Sequence, residues 1–243
     1  MKITPIFHIL SILIMPLSGF MMVSGFVDFV YNNQNWINFF ISATITLFVG
    51  MSVFLATRGN NDQNIDLRQA FVLTTMSWIT IAFFGALPFY LSNINLNFTD
   101  SFFESMSGIT TTGSTILISI EASPPGILVW RSLLQWLGGI GVIVMAIAIF
   151  PMLSVGGMQL FKAENFENPE KVVPRATSLT RGIFIIYSVL TLIWASLLYF
   201  SGMSSFDSIL HSMTTIATGG YSTKSGSIGA YNSQLIDWII ILG

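Results

Sequence analysis

The chain contains no cysteine and very little charge. The absence of cysteine from all 243 residues excludes disulfide bonds, thiolate metal sites and cysteine nucleophiles. Charged residues make up only 8% of the chain, whereas about a quarter of a soluble domain is charged. The formal net charge of −2 is too small to indicate a polyanionic partner, so we expect no nucleic acid.

Apolar residues make up 53% of the chain, which contains 21 phenylalanines. Apolar runs close to the roughly 20 residues needed to cross a bilayer occur at 3–30, 36–57, 69–91, 127–151 and 180–203, and a sixth opens near 233. The first run has the alternative reading of a signal peptide. It is longer than a typical signal core and lacks a clear small-residue cleavage site, so we expect a helix. These runs predict an all-α integral membrane protein.

Basic residues are distributed unevenly between the two sides of the predicted spans. If the N-terminus is cytoplasmic, seven of them face the cytoplasm: Lys2, Arg58, Arg68, Lys162, Lys171, Arg175 and Arg181. Only Arg131 and Lys224 face outward, which is a clear positive-inside bias. Residues 152–179 are then a cytoplasmic connector, read either as a solvated loop or as a docking surface.

Two outer segments are too short and too polar to cross the membrane, and they resemble each other. Residues 98–115 read FTDSFFESMSGITTTGST, and residues 205–222 read SFDSILHSMTTIATGGYS. At a constant separation of 107 residues, seven positions are identical, among them Asp100 with Asp207 and Gly113 with Gly220. Loops that are free to drift do not keep such a register, so the repeat indicates a shared structure.

Each copy predicts a short helix followed by non-helical backbone. Asp100 and Asp207 stand at plausible N-caps, and the Thr and Gly residues that end each copy favour non-helical backbone. Such backbone at membrane depth is tolerated only when protein surrounds it or it lines a water-filled cavity. The pattern therefore predicts two re-entrant pore loops. Ordinary outer loops rich in turn residues are the alternative, which the shared register disfavours.

Backbone carbonyls and Thr hydroxyls can replace the hydration oxygens of a cation without a fixed countercharge. We expect the potential ligand oxygens to come from Thr111, Thr112, Gly113, Ser114, Thr218, Gly219, Gly220 and Tyr221. Gly113 and Gly220 allow the positive φ angles that turn carbonyls toward one axis. The sequence thus predicts a cation filter.

These features resemble a known superfamily. The strings SGITTTGST and TTIATGGYST, each between two spans, are similar to the pore loops of the Trk, Ktr and plant high-affinity potassium transporters. Residues 133–164, LLQWLGGIGVIVMAIAIFPMLSVGGMQLFKAE, resemble the inner helix and following loop of the first repeat in TrkH-type subunits. Two helices ahead of the first repeat also favour the TrkH branch over Ktr.

The resemblance implies potassium uptake across the bacterial inner membrane, with potassium as the transported ion and no organic cofactor. It also implies contact with membrane lipid, a homodimer and a cytosolic nucleotide-binding regulatory subunit of the TrkA type. Neither repeat has the Thr-Val-Gly-Tyr-Gly string of tetrameric potassium channels, which weakens the case for strict exclusion of sodium. In the plant relatives Ser at the first-repeat glycine goes with sodium transport, so Gly113 favours potassium.

The family pore has four repeats, and this sequence contains two. We divide it into accessory helices at 1–60, a first repeat at 61–160, and a connector with a second repeat at 161–243. The sixth run stops after about 11 residues, or about 16 Å of helix. We therefore expect the N-terminal half of a longer protein.

Two other membrane functions remain alternatives to a cation pore: a proton- or sodium-coupled cation symporter, and a non-conducting scaffold. Coupled carriers usually place ionisable groups at mid-membrane, which the predicted spans almost lack. An enzyme is not expected, because Ser, His and Asp form no nucleophile–base set on one side of the membrane.

Five acidic or basic side chains lie near the predicted outer surface. For Asp28, Glu121, Arg131 and Asp237 we expect ordinary solvation. Glu104 either attracts cations or has a structural hydrogen-bonding role. Its counterpart in the second copy is His211, which favours the structural role.

Overall fold

The computed structural model describes residues 3–59, 67–153 and 172–243, and within them the chain is helical with connecting turns. Helices long and apolar enough to cross a membrane are Thr4–Val30, Trp36–Thr57, Arg68–Leu91, Pro125–Ile143 and Thr180–Phe200. The five predicted spans and the all-α membrane class are confirmed. The proposed domain boundaries at 60 and 160, most of the connector 152–179, and Lys2, Lys162 and Lys171 lie outside the described residues.

We number the α-helices in chain order. They are α1 Thr4–Val30, α2 Trp36–Thr57, α3 Leu67–Gly85, α4 Leu87–Leu91, α5 Phe98–Ile109, α6 Pro125–Leu153, α7 Val172–Phe200, α8 Ser205–Ile216 and α9 Gln234–Leu242. Short 3₁₀ turns lie at Ile120–Ala122 and Ser227–Tyr231. Helix α7 begins at Val172, before the predicted span at 180, because a helix does not need the continuous apolar sequence that a membrane span needs.

The helices after α2 follow one order twice. Each copy consists of an outer helix, a short helix and an inner helix. In the first copy these are α3–α4, α5 and α6, and in the second copy they are α7, α8 and α9. The short helices α5 and α8 both have 12 residues, and their ends keep the 107-residue separation seen in the sequence. The internal repeat of the sequence is thus a repeat of the fold.

Helix α6 is the centre of the packing. In its membrane window 61% of the residues are buried, compared with 11% for α7. Ile127, Trp130 and Leu134 are fully buried in the cluster that joins α6 to α1, α2, α3 and α5. The Trp130 Nε1–H also donates to the Gly85 carbonyl at 2.9 Å. Polar side chains on α6 are therefore held rigidly by the surrounding helices.

Asp28 joins α1 to the start of α6. Its Oδ1 accepts from the Gly126 backbone N–H at 2.6 Å, and its Oδ2 accepts from Asn35 Nδ2 at 2.9 Å. Because the first amides of a helix have no partner within the helix, a carboxylate from another element can cap them. Asp28 is completely buried, so the prediction that it is solvated is wrong. Glu121 and Asp237 are exposed, as predicted, but the Glu121 carboxylate also accepts hydrogen bonds from the Ser225 N–H and hydroxyl.

Candidate functional site: two Thr–Gly segments

The short helices α5 and α8 begin with equivalent caps. The Asn97 side chain accepts from the Asp100 N–H at 2.8 Å, and Ser204 Oγ accepts from the Asp207 N–H at 3.0 Å. The prediction that Asp100 and Asp207 are the N-caps is therefore wrong. Each helix starts three residues earlier, because Asn and Ser cap as well as Asp. The two carboxylates lie in the first turn, where the helix dipole still favours them.

Both helices also end in the same way, with a Schellman motif. In α5 the N–H of Thr111 donates to Gly108 O and the N–H of Thr112 donates to Ser107 O, each at 3.0 Å. In α8 the N–H groups of Thr218 and Gly219 make the equivalent bonds to Thr215 O and Thr214 O, each at 2.8 Å. This motif requires a left-handed residue at its turn, and glycine is the usual choice.

Here that left-handed residue is threonine in both copies. The φ angle is 55° at Thr111 and 52° at Thr218. A β-branched residue with positive φ is an outlier that is held in place by the surrounding structure, and such strain concentrates at functional sites. Two residues later the glycines repeat the positive φ, with 78° at Gly113 and 80° at Gly220. We call residues 111–114 and 218–221 the first and second Thr–Gly segments.

The two Thr–Gly segments are in direct contact. A Cβ added at Gly113 would overlap the carbonyl oxygen of Gly219. Since each segment directly follows the C-terminus of a short helix, the negative ends of the α5 and α8 dipoles also converge there. The fold therefore places the two predicted segments side by side, with Gly113 against Gly219 and the Tyr221 hydroxyl 3.3 Å from Ser114 O.

Two of the predicted carbonyls are tied to the protein. The Ser114 oxygen accepts from Ser107 Oγ at 2.6 Å, and the Gly219 oxygen accepts from Gln135 Nε2 at 2.7 Å. Gly219 and Tyr221 are buried, whereas Thr218 and Gly220 are exposed. The second segment thus alternates between residues that are buried and residues that are exposed in the described structure.

The residue that directly follows each Thr–Gly segment is held by a buried side chain at the same position of the short helix. Glu104 on α5 accepts from Thr115 Oγ1 at 2.9 Å and from the Ile116 N–H at 3.1 Å. The equivalent His211 on α8 bonds through Nε2 to Ser222 Oγ at 3.0 Å. The structural hydrogen-bonding role predicted for Glu104 is confirmed, and His211 replaces it in the second copy.

Arg131 on α6 completes the anchoring of Glu104. Its Nε donates to Glu104 Oε1 at 2.8 Å, and its Nη1 donates to Ser222 O at 3.1 Å. The guanidinium lies over the ring of Tyr221, 4.0 Å from the centroid. Arg131 is 1% exposed, so the prediction that it is solvated is wrong. Burial of this charge is possible because a carboxylate, a carbonyl and an aromatic face surround it.

Sequence reasoning missed Arg131 and Gln135 as parts of the site. Both lie on α6, one helical turn apart, within a span that is otherwise largely apolar. Placing an ionisable or polar side chain inside a membrane span costs free energy, and such residues usually have a function. This rule could have indicated Arg131 and Gln135 from the sequence. Their position near the start of a predicted span indicates an outer interface instead, and the packing of α6 contradicts this for Arg131.

Comparison with known proteins is consistent with this geometry. A model of the TrkH cation transport protein family matches residues 34–243. The chain belongs to the TrkH family. It is 42% identical over 230 residues to the Trk system potassium uptake protein TrkI of Halomonas elongata, covering 95% of this chain and 46% of that protein. It is 39% identical over 246 residues to TrkH of Escherichia coli, covering 100% of this chain and 50% of that protein.

A member of the family with a solved structure has the same fold. The crystal structure of the potassium transporter TrkH from Vibrio parahaemolyticus superposes with a TM-score of 0.88 at 33% identity, covering 100% of this chain and 49% of that one. The chain thus spans about half the length of the relatives it matches. Its resemblance to the TrkH family, expected from the Thr–Gly strings, is confirmed.

Proposed function

We propose that the two Thr–Gly segments form part of a potassium pore. The observation that carries this proposal is the duplicated backbone geometry. Two short helices are each followed by a left-handed Thr and, two residues later, a left-handed Gly, and the two segments touch at Gly113 and Gly219. Carbonyls arranged in this way can replace the hydration shell of a cation. The names of the relatives, Trk system potassium uptake proteins, favour potassium as the ion.

The proposed ion path includes all eight residues of the two segments. Within it, the carbonyls of Ser114 and Gly219 hold the backbone in place through their hydrogen bonds. Oxygens of Thr111, Thr112 and Gly113, and of Thr218 and Gly220, are the stronger candidates for contact with the ion. The Tyr221 hydroxyl is committed to Glu104 O at 2.9 Å, so Tyr221 contributes through its backbone.

The same proposal extends to the membrane in which the pore lies, its orientation and its partners. We place the protein in the bacterial inner membrane with a cytoplasmic N-terminus, surrounded by lipid. The orientation is supported by the positive-inside bias, with Lys224 on the proposed outer side and Arg131 buried within the span Pro125–Ile143. A homodimer and a cytosolic nucleotide-binding partner of the TrkA type follow from family membership as further proposals.

Substitution of the two glycines tests the pore in the full-length product of the gene. Gly113→Ser and Gly220→Ser should each weaken the preference for potassium over sodium, because a Cβ disfavours the positive φ at both sites. Gly113→Ser should have the larger effect, since its Cβ also overlaps Gly219 O. A change of about 1.4 kcal/mol in the difference between the two ion barriers alters the ratio tenfold.

The measurement is rubidium uptake with sodium competition, in cells that lack other potassium importers, corrected for the amount of protein in the membrane. Gly141→Ala is the matched control, because its Cβ would meet no atom among the described residues. If both filter substitutions left the flux and the ion ratio unchanged, the pore proposal would fail.

A further inference from the structure

Helix α6 belongs to the first repeat, yet two of its buried polar side chains, Arg131 and Gln135, contact the second. Gln135 is fully buried and lies one turn after Arg131. Its Nε2 donates to Gly219 O at 2.7 Å, and its Oε1 accepts from the Tyr221 N–H at 3.1 Å. One carboxamide therefore satisfies a backbone acceptor and a backbone donor on the two sides of Gly220.

The position of this carboxamide determines the direction of two peptide groups. Gly220 has a φ of 80°, and no atom of the described residues lies within 4 Å of a hypothetical Cβ, so no side-chain packing limits the conformational freedom of this glycine. The two hydrogen bonds from the Gln135 side chain remove that freedom, because they fix the peptide groups on either side of Gly220. A Cβ at Gly219 would overlap the carboxamide, so the contact is also close packed.

The first Thr–Gly segment depends on the second through further contacts. Gly113 packs against Gly219 O, the oxygen that Gln135 holds. The Tyr221 hydroxyl donates to Glu104 O at 2.9 Å and lies 3.3 Å from Ser114 O. A shift of the second segment is therefore passed to the first segment through buried contacts.

We propose that Gln135 is a positioning residue for ion selectivity, which holds the backbone from Gly219 to Tyr221 in the geometry that distinguishes potassium from sodium. This inference rests on the proposed potassium pore. Whether selectivity comes from cavity size or from the number and field strength of the carbonyls, it depends on where those carbonyls are held. Gln135 need not contact the ion to control it.

Two substitutions remove different parts of the interaction. Gln135→Leu removes both hydrogen bonds and leaves the Gly219 carbonyl and the Tyr221 N–H unpaired in a buried site. Gln135→Glu has nearly the same shape and keeps an acceptor for the Tyr221 N–H, but a carboxylate cannot donate to Gly219 O. Ser132→Ala is the matched control, because Ser132 is buried on the same helix and, within the described part of the chain, its hydroxyl donates to Leu128 O at 3.2 Å and not to a Thr–Gly segment.

The readout is the ratio of rubidium uptake to sodium uptake by the full-length product, at equal amounts of protein in the membrane. We expect Gln135→Leu to reduce the ratio by about tenfold or more, with a smaller reduction for Gln135→Glu and a change of less than about twofold for Ser132→Ala. A residue that served only to stabilise the fold would lower the amount of protein or the total flux and leave the ratio unchanged.

The outcomes separate this inference from the pore itself. If Gly113→Ser changes the ratio and either Gln135 variant in the membrane keeps the wild-type ratio, Gln135 is not a selectivity residue and the pore remains. If neither the glycine nor the Gln135 variants change the ratio, the proposed pore fails as well. Loss of both Gln135 variants from the membrane would assign Gln135 to folding alone and would also contradict the inference.

Discussion

Arg131 on α6 and Glu104 on α5 form an ion pair inside the protein, with Nε and Oε1 2.8 Å apart and side chains that are 2% and 0% exposed. The pair lies next to both Thr–Gly segments, because Glu104 bonds to Thr115 and Arg131 bonds to Ser222 O. Its two charges largely cancel, so the pair adds little net charge beside the two Thr–Gly segments.

Breaking this pair should destabilise the protein strongly. Glu104→Gln keeps the shape of the side chain but leaves Arg131 buried without a countercharge, which we expect to cost about 3–5 kcal/mol of unfolding free energy. Thermal unfolding of the purified full-length protein in detergent measures the change. Asp237→Asn, on an exposed carboxylate of α9, is the control and should stay within about 0.5 kcal/mol. Equal stability of the two variants would contradict a structural role for the pair.

The contact between Glu121 and Ser225 should make the outer surface sensitive to acid. Hydrogen bonds from the Ser225 hydroxyl and N–H lower the pKa of the Glu121 carboxyl from 4.5 to about 2. Because the pKa is lower in the folded state, the contact stabilises the fold fully above pH 4.5. That stabilisation is lost as the pH falls toward about 2.

Comparison of wild type with Glu121→Gln tests this pH dependence. The difference between their unfolding temperatures should be constant above pH 5 and should shrink as the pH falls through the range between the two pKa values. Ser225→Ala, which removes one of the two donors, should show a smaller dependence than wild type. A difference that stays constant down to pH 2 would show that Glu121 does not titrate in this way.

Orientation in the membrane can be checked with single cysteines, because this chain has none of its own. Gly59→Cys follows α2 on the side proposed to be cytoplasmic, and Ile118→Cys lies on the opposite side at a position that is 94% exposed. A membrane-impermeant thiol reagent added to intact cells should label only the cysteine at 118, with cysteines elsewhere in the full-length product replaced by serine. Labelling at 59 from outside would reverse the proposed topology.

The sequence alone was sufficient for the spans, the internal repeat and the location of the two Thr–Gly segments. Each of these is a local property: a span needs only enough consecutive apolar residues, and a repeat needs only a constant register. Even the ends of α5 and α8 could be predicted approximately, since Thr and Gly follow them directly. Their starts could not, because Asn97 and Asp100 are almost equally good N-caps and only the backbone geometry selects between them.

Only the tertiary structure decided which charged and polar side chains are buried and which groups they bond to. Asp28 and Arg131 looked like residues of an outer interface, and they are buried because Gly126 and Glu104 supply partners from other helices. Gln135 had no recognisable motif, since its role depends on Gly219 and Tyr221 lying opposite it. The free energy of burying a polar group depends on what faces it, and residues that face each other across a fold are not marked as neighbours in the sequence.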